Sequence, residues 1–184
     1  MHGIIHLELQ NFVVQQHGEA AWRALTDAAG LSNEIYTPLR SYPDEQLIAL
    51  VGAAVQLTGA DTTALLEAFG EFLAPRYLAL YGKLLKPEWR TLDVLEHAEN
   101  TIHRVVRMRE AGALPPRLQA QRVSPTAVRI NYDSPRKLCA VARGIARGIG
   151  AHFKEKLSIS DEQCMHRGDR ACVMLFTLVE GSST

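Results

Sequence analysis

The chain lacks the charge imbalance and the cysteine content of several specialised protein classes. Its 20 Lys and Arg residues balance its 20 Asp and Glu residues, so no basic field favours nucleic acid or an anionic membrane surface. It contains three cysteines, an odd number that argues against a disulfide framework and for a reducing cytoplasm. We therefore expect a cytoplasmic protein that has no nucleic-acid partner.

Long apolar runs are also missing. Residues 1–18 have no basic start, and Glu8, Gln10 and Asn11 interrupt their apolar positions, so the sequence predicts no signal peptide. No segment approaches the ~20 apolar residues that a transmembrane helix needs, and we expect no membrane partner. A hydrophobic content of 47% over 184 residues is nonetheless typical of one folded domain.

The spacing of apolar residues changes from helical to extended close to Pro116. The predicted helices cover residues 1–18, 20–29, 44–57, 61–81 with a kink or break at Pro75, 88–109 and 135–153. The predicted strands cover residues 117–124, 126–133, 156–161 and 172–179. This pattern indicates an α+β fold, in which an N-terminal helical lobe joins a C-terminal four-stranded antiparallel sheet with packing helices.

The segment NYDSPR at residues 131–136 combines donors that suit carboxylates. Alternate residues of an extended chain point the same way, so Tyr132, Ser134 and Arg136 are expected to line up. A guanidinium matches a carboxylate in shape and makes strong charge-assisted hydrogen bonds. Pro135 predicts that Ser134 caps a helix whose free N–H groups favour anions. The alternative is a strand end with a surface arginine, because short motifs recur by chance.

Histidine is the residue to search for a buried metal ligand, because a neutral imidazole nitrogen binds iron. The chain has seven candidates, which are His2, His6, His17, His97, His103, His152 and His166. His103 follows Ile102 late in a predicted helix, beside its apolar stripe, whereas His97 lies nearer the polar side. Taken singly, each histidine is more often a surface or core residue than a ligand.

Several charged residues have the pattern of an ordinary solvated helix face. These residues are Glu96, Glu99, Arg104 and Arg107 around His103, and Arg143 with Arg147 on the last predicted helix. We expect them at the surface, where those near His103 are candidate contacts for a partner protein.

Four features of the chain, in this order, resemble the haem-nitric oxide/oxygen binding family, the H-NOX domains found also in soluble guanylate cyclases. They are the opening MHGII at residues 1–5, the pair Ile102-His103, Pro116 thirteen residues after His103, and the Tyr-x-Ser-x-Arg motif at residues 132–136. The resemblance extends over nearly the whole chain and includes its length.

The resemblance implies a haem b group buried between the helical lobe and the sheet. His103 is then the iron ligand, Pro116 presses on the haem and distorts it, and the three motif residues hold the haem propionates. The resemblance also implies a single domain over residues 1–184, with about residues 1–60 as the distal helical lobe and residues 61–184 as the proximal part with the sheet.

The family resemblance further implies a signalling mechanism without catalysis. NO binds the ferrous haem, the bond to His103 weakens or breaks, and the helical lobe shifts, which a separate partner protein detects. In similar family members that partner is a histidine kinase or a cyclic-di-GMP enzyme. The sequence shows no nucleophile–base pair, phosphate-binding loop or suitably spaced carboxylate pair, so we expect no enzyme.

The choice of gas follows from the expected distal wall. Oxygen-binding members carry a distal tyrosine five residues after the motif arginine, and Val141 stands at that position here. An apolar wall offers bound oxygen no hydrogen-bond donor, so we expect NO and CO as ligands and no stable oxygen complex. The residues expected in this wall are Ile5, Leu73, Val141 and Ile145. Tyr77 is expected on the same side, packed with its hydroxyl at the surface.

The three cysteines and one histidine suggest a second metal site. Cys139, Cys164, Cys172 and His166 offer a tetrahedral zinc ligand set, with Asp161 as a substitute for His166. Some family members carry a similar pattern that binds zinc and responds to oxidants. The alternative is reduced thiols without a metal. An alternative function for the chain is accordingly a zinc or thiol redox sensor in which haem has a secondary role.

Overall fold

The computed structural model describes residues 1–38, 40–109 and 113–179. The helices are α1 (Gly3–His17), α2 (Glu19–Ala28), α3 (Asp44–Thr58), α4 (Thr62–Tyr81), α5 (Thr91–His97), α6 (Arg104–Arg109) and α7 (Cys139–His152). The strands are β1 (Arg117–Ser124), β2 (Ala127–Asp133), β3 (Leu157–Gln163) and β4 (Cys172–Leu178). Short 3₁₀ turns lie at Gly82–Leu84 and Met165–Arg167.

The four strands form one antiparallel sheet in the order β1-β2-β4-β3. The predicted α+β fold, with an N-terminal helical lobe and a C-terminal four-stranded antiparallel sheet, is therefore confirmed. Alternate residues of the central strand β4, which are Cys172, Met174 and Phe176, are buried, as expected for a half-covered sheet.

Helix α4 begins with a side-chain cap. The Oδ1 atom of Asp61 accepts a hydrogen bond from the amide of Ala64 at 3.0 Å and satisfies one of the free donors of the first turn. The sequence predicted a kink or a break at Pro75, and of these two the break is absent, because α4 stays helical through Pro75 to Tyr81. Close packing against α7 outweighs the single backbone hydrogen bond that proline removes.

Helices α4 and α7 touch through glycines. A Cβ atom added to Gly144 would overlap the carbonyl oxygen of Glu67, and one added to Gly70 would overlap that of Val141. The two backbones therefore pack directly on each other, and this contact fixes α4 against the helix that follows β2. The boundary expected near residue 60 between the helical lobe and the sheet-bearing part stays a prediction.

No single helix within residues 1–38, 40–109 and 113–179 is long and apolar enough to cross a membrane. Helices α3 and α4 with the turn after them pass such a test only as a pair, and that pair is bent by 115°.

Candidate functional site

A cavity of about 270 Å³ lies between the helical lobe and the sheet, and its lining is mostly apolar. Residues from α1, α4, α7, β2 and the segment before α6 line it. Every residue expected to contact the haem is among them: Ile5, Leu73, His103, Pro116, Tyr132, Ser134, Arg136, Val141 and Ile145. The fold thus brings together residues that are far apart in sequence.

His103 ends a π-helical turn that interrupts the helix expected over residues 88–109. Residues Glu99–His103 form this turn, in which the amide of His103 donates to the carbonyl of Ala98 at 3.0 Å. Such wide turns cost stability and occur often at functional sites. The side chain of His103 is 18% exposed, and its burial lowers the pKa of the imidazole, so the neutral form that binds metals is favoured.

Glu99 contacts His103 directly, which differs from the solvated position expected for it. Its Oε2 atom lies 3.2 Å from Nδ1 of His103 and accepts from the amide of Leu118 at 3.1 Å. Its Oε1 atom accepts from Nη1 of Arg107 at 2.8 Å. Burial alone would raise the pKa of Glu99, but these three hydrogen bonds hold it below its usual value. The spacing of four residues between Glu99 and His103 is the sequence signal that could have revealed the contact.

Tyr132 and Ser134 lie at the end of β2 and are almost fully buried. Burial raises the pKa of Tyr132 to about 12, so its phenol is protonated and can donate a hydrogen bond. The helix cap predicted at Ser134 is wrong, because α7 begins only at Cys139. The Oγ atom of Ser134 instead accepts a hydrogen bond from the amide of Arg136 at 3.3 Å. The next residue, Lys137, adopts a left-handed conformation with a φ of 52°.

Arg136 is held by acceptors from two distant segments of the chain. Its Nε atom donates to Oδ2 of Asp44 at 2.8 Å, and its Nη1 atom donates to the carbonyl of Leu114 at 2.6 Å. The other carboxylate oxygen of Asp44 pairs with the amino group of Met1 at 2.6 Å. Burial opposes ionisation of Asp44, but the amino group and Arg136 outweigh it and lower its pKa. Sequence reasoning missed Asp44, since it is 92 residues from Arg136.

The four residues expected in the distal wall are apolar and belong to the cavity lining. Ile5, Leu73, Val141 and Ile145 line the cavity, and Leu73 is 1% exposed. Tyr77 lines the cavity too, and its ring packs edge-on against Tyr81 at a centroid distance of 6.2 Å.

The three cysteines converge beneath the sheet. The Sγ atoms of Cys139, Cys164 and Cys172 all lie within 4.8 Å of one another, and all three side chains are buried. Burial raises the pKa of Cys139, and that of Cys172 to about 12, so both are thiols without a metal. His166 is not part of this group, and its Nε2 atom lies 2.8 Å from the carbonyl oxygen of Lys137.

Asp161, the substitute ligand, is engaged elsewhere. It pairs with Nη1 of Arg143 at 3.0 Å, while Nε of Arg143 pairs with Glu67 at 2.6 Å and Arg147 pairs with the same glutamate. The solvated position expected for Arg143 is therefore wrong, since only 9% of this residue is exposed. The cluster fastens α7 to α4 and β3.

Comparison with known proteins agrees with this arrangement. The profile of the Haem-NO-binding family matches residues 2–161. An H-NOX protein from S. oneidensis, solved in the Fe(II)NO state, is 26% identical and has a TM-score of 0.90 over 98% of this chain and 100% of its own. The same bacterium's H-NOX domain in the Fe(II)CO state is 26% identical, with a TM-score of 0.84 over 98% and 99%.

More distant structures share the fold. The unliganded Fe(II) H-NOX protein from K. algicida is 21% identical and has a TM-score of 0.86, with complete coverage of both chains. No curated protein is significantly similar to the chain.

Proposed function

Because the chain belongs to the Haem-NO-binding (H-NOX) family, we propose that it is a haem-based NO sensor that signals to a separate partner protein. The observation that carries the proposal is the convergence of His103, Pro116 and the motif Tyr132-x-Ser134-x-Arg136 on one apolar cavity. H-NOX proteins are sensor domains, and we propose no enzymatic activity for this one.

The residues present fit haem b. His103 supplies a neutral nitrogen to the cavity lining, and the protonated phenol, hydroxyl and guanidinium of the motif in the same lining suit two propionates. Pro116 lines the wall on the His103 side, where its rigid ring suits contact with the porphyrin. When bound, the haem iron supplies the coordination position that NO or CO takes. The rest of the sensing depends on the chain's own side chains.

The distal wall supports the proposed choice of gas. Ile5, Leu73, Val141 and Ile145 contribute only carbon atoms from their side chains, so they exclude water and give a polar diatomic ligand no hydrogen bond. NO and CO need no such donor, whereas oxygen gains from one. We therefore propose that the protein takes up NO and CO and does not retain oxygen.

Two connections suit the proposed signalling. His103 is continuous with α6 through the π-helical turn, so with His103 as the iron ligand a change in its position would be passed to that helix. Arg136 joins Asp44 of the helical lobe to Leu114 before the sheet, so with Arg136 on a propionate a shift of its side chain would act on both parts. We propose a histidine kinase or a cyclic-di-GMP enzyme in the cytoplasm as the partner that detects this motion.

Absorption spectroscopy of the purified ferrous protein, before and after NO, tests the function. Before NO is added, the wild type should show the spectrum of a haem with His103 as ligand. After NO is added, it should show the spectrum of a nitrosyl haem without this ligand. His103→Gly should bind haem without that ligation signature unless imidazole is added. Protein that refuses haemin, or a His103→Gly variant with the wild-type spectrum, would contradict the proposal.

The convergent thiols favour a second candidate function, a structural zinc site with a redox role. Three thiolates within reach of one point provide three of the four ligands of a tetrahedral site, and a rotated His166 is the proposed fourth. Burial raises the pKa values of Cys139 and Cys172, and a bound zinc ion would lower them again, so that the thiolates form. Metal analysis of the reduced protein tests the site. About one zinc per chain is expected in the wild type, and Cys164→Ser should contain none. A lower zinc content in His166→Ala would show that the histidine is a ligand.

The two functions have different signatures. If cysteine variants abolish regulation of a partner while His103 variants do not, the zinc or thiol sensor is the correct function. The opposite outcome supports the haem sensor, and absence of zinc from the reduced protein removes the second candidate.

A further inference from the structure

We propose that Glu99 is a positioning residue for His103, which holds the imidazole through Nδ1 and thereby limits how readily His103 leaves the iron. The inference rests on the proposed haem function and adds a determinant of its switching rate. It differs from the sequence expectation, which placed Glu99 on a solvated helix face.

The geometry of Glu99 sets it apart from a surface carboxylate. Its side chain is 25% exposed, and its two oxygens take hydrogen bonds or an ion pair from three different places. One oxygen serves both His103 Nδ1, at 3.2 Å, and the amide of Leu118 in β1, at 3.1 Å. Arg107 holds the other oxygen at 2.8 Å. The carboxylate is therefore fixed from two sides while it faces the imidazole.

Arg107 completes this frame. Its Nη2 atom donates to the carbonyl of Pro116 at 3.1 Å, so one guanidinium joins Glu99 to the residue that lines the same wall as His103. The carboxylate thus connects the π-helical turn to the start of β1 at residues 116–118. If His103 is displaced, these hydrogen bonds must break, or the residues that they join must move with it.

A carboxylate at Nδ1 has two effects on a histidine that binds metal through Nε2. It keeps the proton on Nδ1, which selects the tautomer and the ring orientation that leave Nε2 free. It also raises the electron density of the imidazole, which strengthens the metal bond. Both effects oppose dissociation of His103, so Glu99 lowers the rate at which His103 leaves the iron.

Glu96 provides a matched control. It lies three residues before Glu99 and forms a partly buried ion pair with Arg122 at 2.9 Å, with no contact to His103 among its described hydrogen bonds. Glu96→Gln and Glu99→Gln remove the same charge from the same helical segment. A difference between them isolates the contact with His103.

The experiment compares wild type, E99Q, E96Q and E99D in the full chain. Resonance Raman spectra of the ferrous, gas-free protein should show the iron–histidine stretch at lower frequency in E99Q and unchanged in E96Q. Stopped-flow mixing with NO should show His103 release about tenfold faster in E99Q, at the lower end of the effects typical of partners of metal ligands. E99D keeps the charge and should give intermediate values.

A haem-free readout keeps the inference testable if the haem function fails. In ¹H–¹⁵N spectra of the haem-free protein, the Nδ1 proton of His103 should move upfield in E99Q, because a neutral amide is a weaker acceptor. It should stay in place in E96Q. If the iron–histidine stretching frequency, the rate of His103 release and the resonance position of the Nδ1 proton in E99Q all equal those of the wild type, the proposed role of Glu99 is wrong. A wild type without His103 ligation, but with an Nδ1 shift in E99Q, would overturn the haem function alone.

Discussion

The guanidinium of Arg136 and the carboxylate of Asp44 pair at 2.8 Å across 92 residues of sequence, and they tie the turn after β2 to the first turn of α3. An arginine expected to bind a haem propionate is thus already oriented by a carboxylate from the other half of the molecule. Such preorganisation limits the entropy that propionate binding has to overcome.

Replacing Asp44 by Asn should weaken this orientation. We expect a loss of about 1 kcal/mol from the free energy of unfolding, since Asp44 is 38% exposed and solvent screens its two ion pairs. Because its pKa is lowered in the folded state, its contribution is present at neutral pH and disappears as the pH falls through that pKa. Urea denaturation at several pH values measures both effects, and equal pH dependence in the two proteins would contradict the assignment.

His6 should limit stability at mildly acidic pH. It is completely buried, its ring stacks on Tyr36 at 4.6 Å, and neither nitrogen has a close hydrogen-bond partner among the described residues. Burial, assisted by the nearby amino terminus, lowers its pKa to about 4. The unfolded chain therefore binds more protons between pH 6.5 and 4, and stability should fall by about 2 kcal/mol between pH 7 and pH 5.

His6→Phe should remove that decline and raise stability at pH 7 by about 1 kcal/mol, because a buried polar group without a partner is replaced by an apolar ring. Urea titrations at pH 7 and pH 5 provide the measurement. His17→Phe is the control, since His17 is exposed and should change neither value much. A variant at position 6 that retains the wild-type pH dependence would show that another group titrates.

Gly144→Ala should strain the crossing of α4 and α7. The new methyl group would overlap the backbone of Glu67, which cannot move aside as a flexible side chain would, and we expect a loss of about 1–3 kcal/mol. Gly52→Ala on α3 is the matched control. No atom lies within 4 Å of a Cβ added there, so this change should stabilise the protein by about 0.5–1 kcal/mol. Thermal denaturation of the two variants measures both effects. If Gly144→Ala stabilises the protein as much as Gly52→Ala does, α4 and α7 do not pack as closely as described.

Val141→Tyr should let the protein retain oxygen. Val141 lines the apolar wall, and a phenol there places a hydrogen-bond donor at a position where the wild type has only carbon atoms. We expect the spectrum of the air-equilibrated ferrous variant to persist longer than that of wild type. Val141→Phe has the same bulk without the hydroxyl and should behave like wild type. If both variants retain oxygen equally, cavity shape and not hydrogen bonding decides the choice of gas.

The fold, and the grouping of the expected site residues around one cavity, were predictable because they depend on local patterns and on the family resemblance. Alternation and helical spacing predicted the four strands and the main helices, and all nine expected contact residues line one cavity. The helix start at Cys139 was missed because Lys137 adopts a left-handed conformation that no propensity signals. The partners Asp44 and Glu67 were missed because contacts over long sequence distances leave no trace in a single sequence.

The π-helical turn at Glu99–His103 has a consequence for the length of this segment. An α-helix advances by about 100° per residue, so the additional residue in the turn sets the direction in which everything after it faces. Deleting one residue between Ala98 and Ile102 would restore a regular helix and swing the histidine away from the cavity by about that angle. The number of residues in this turn therefore determines where the side chain of His103 lies.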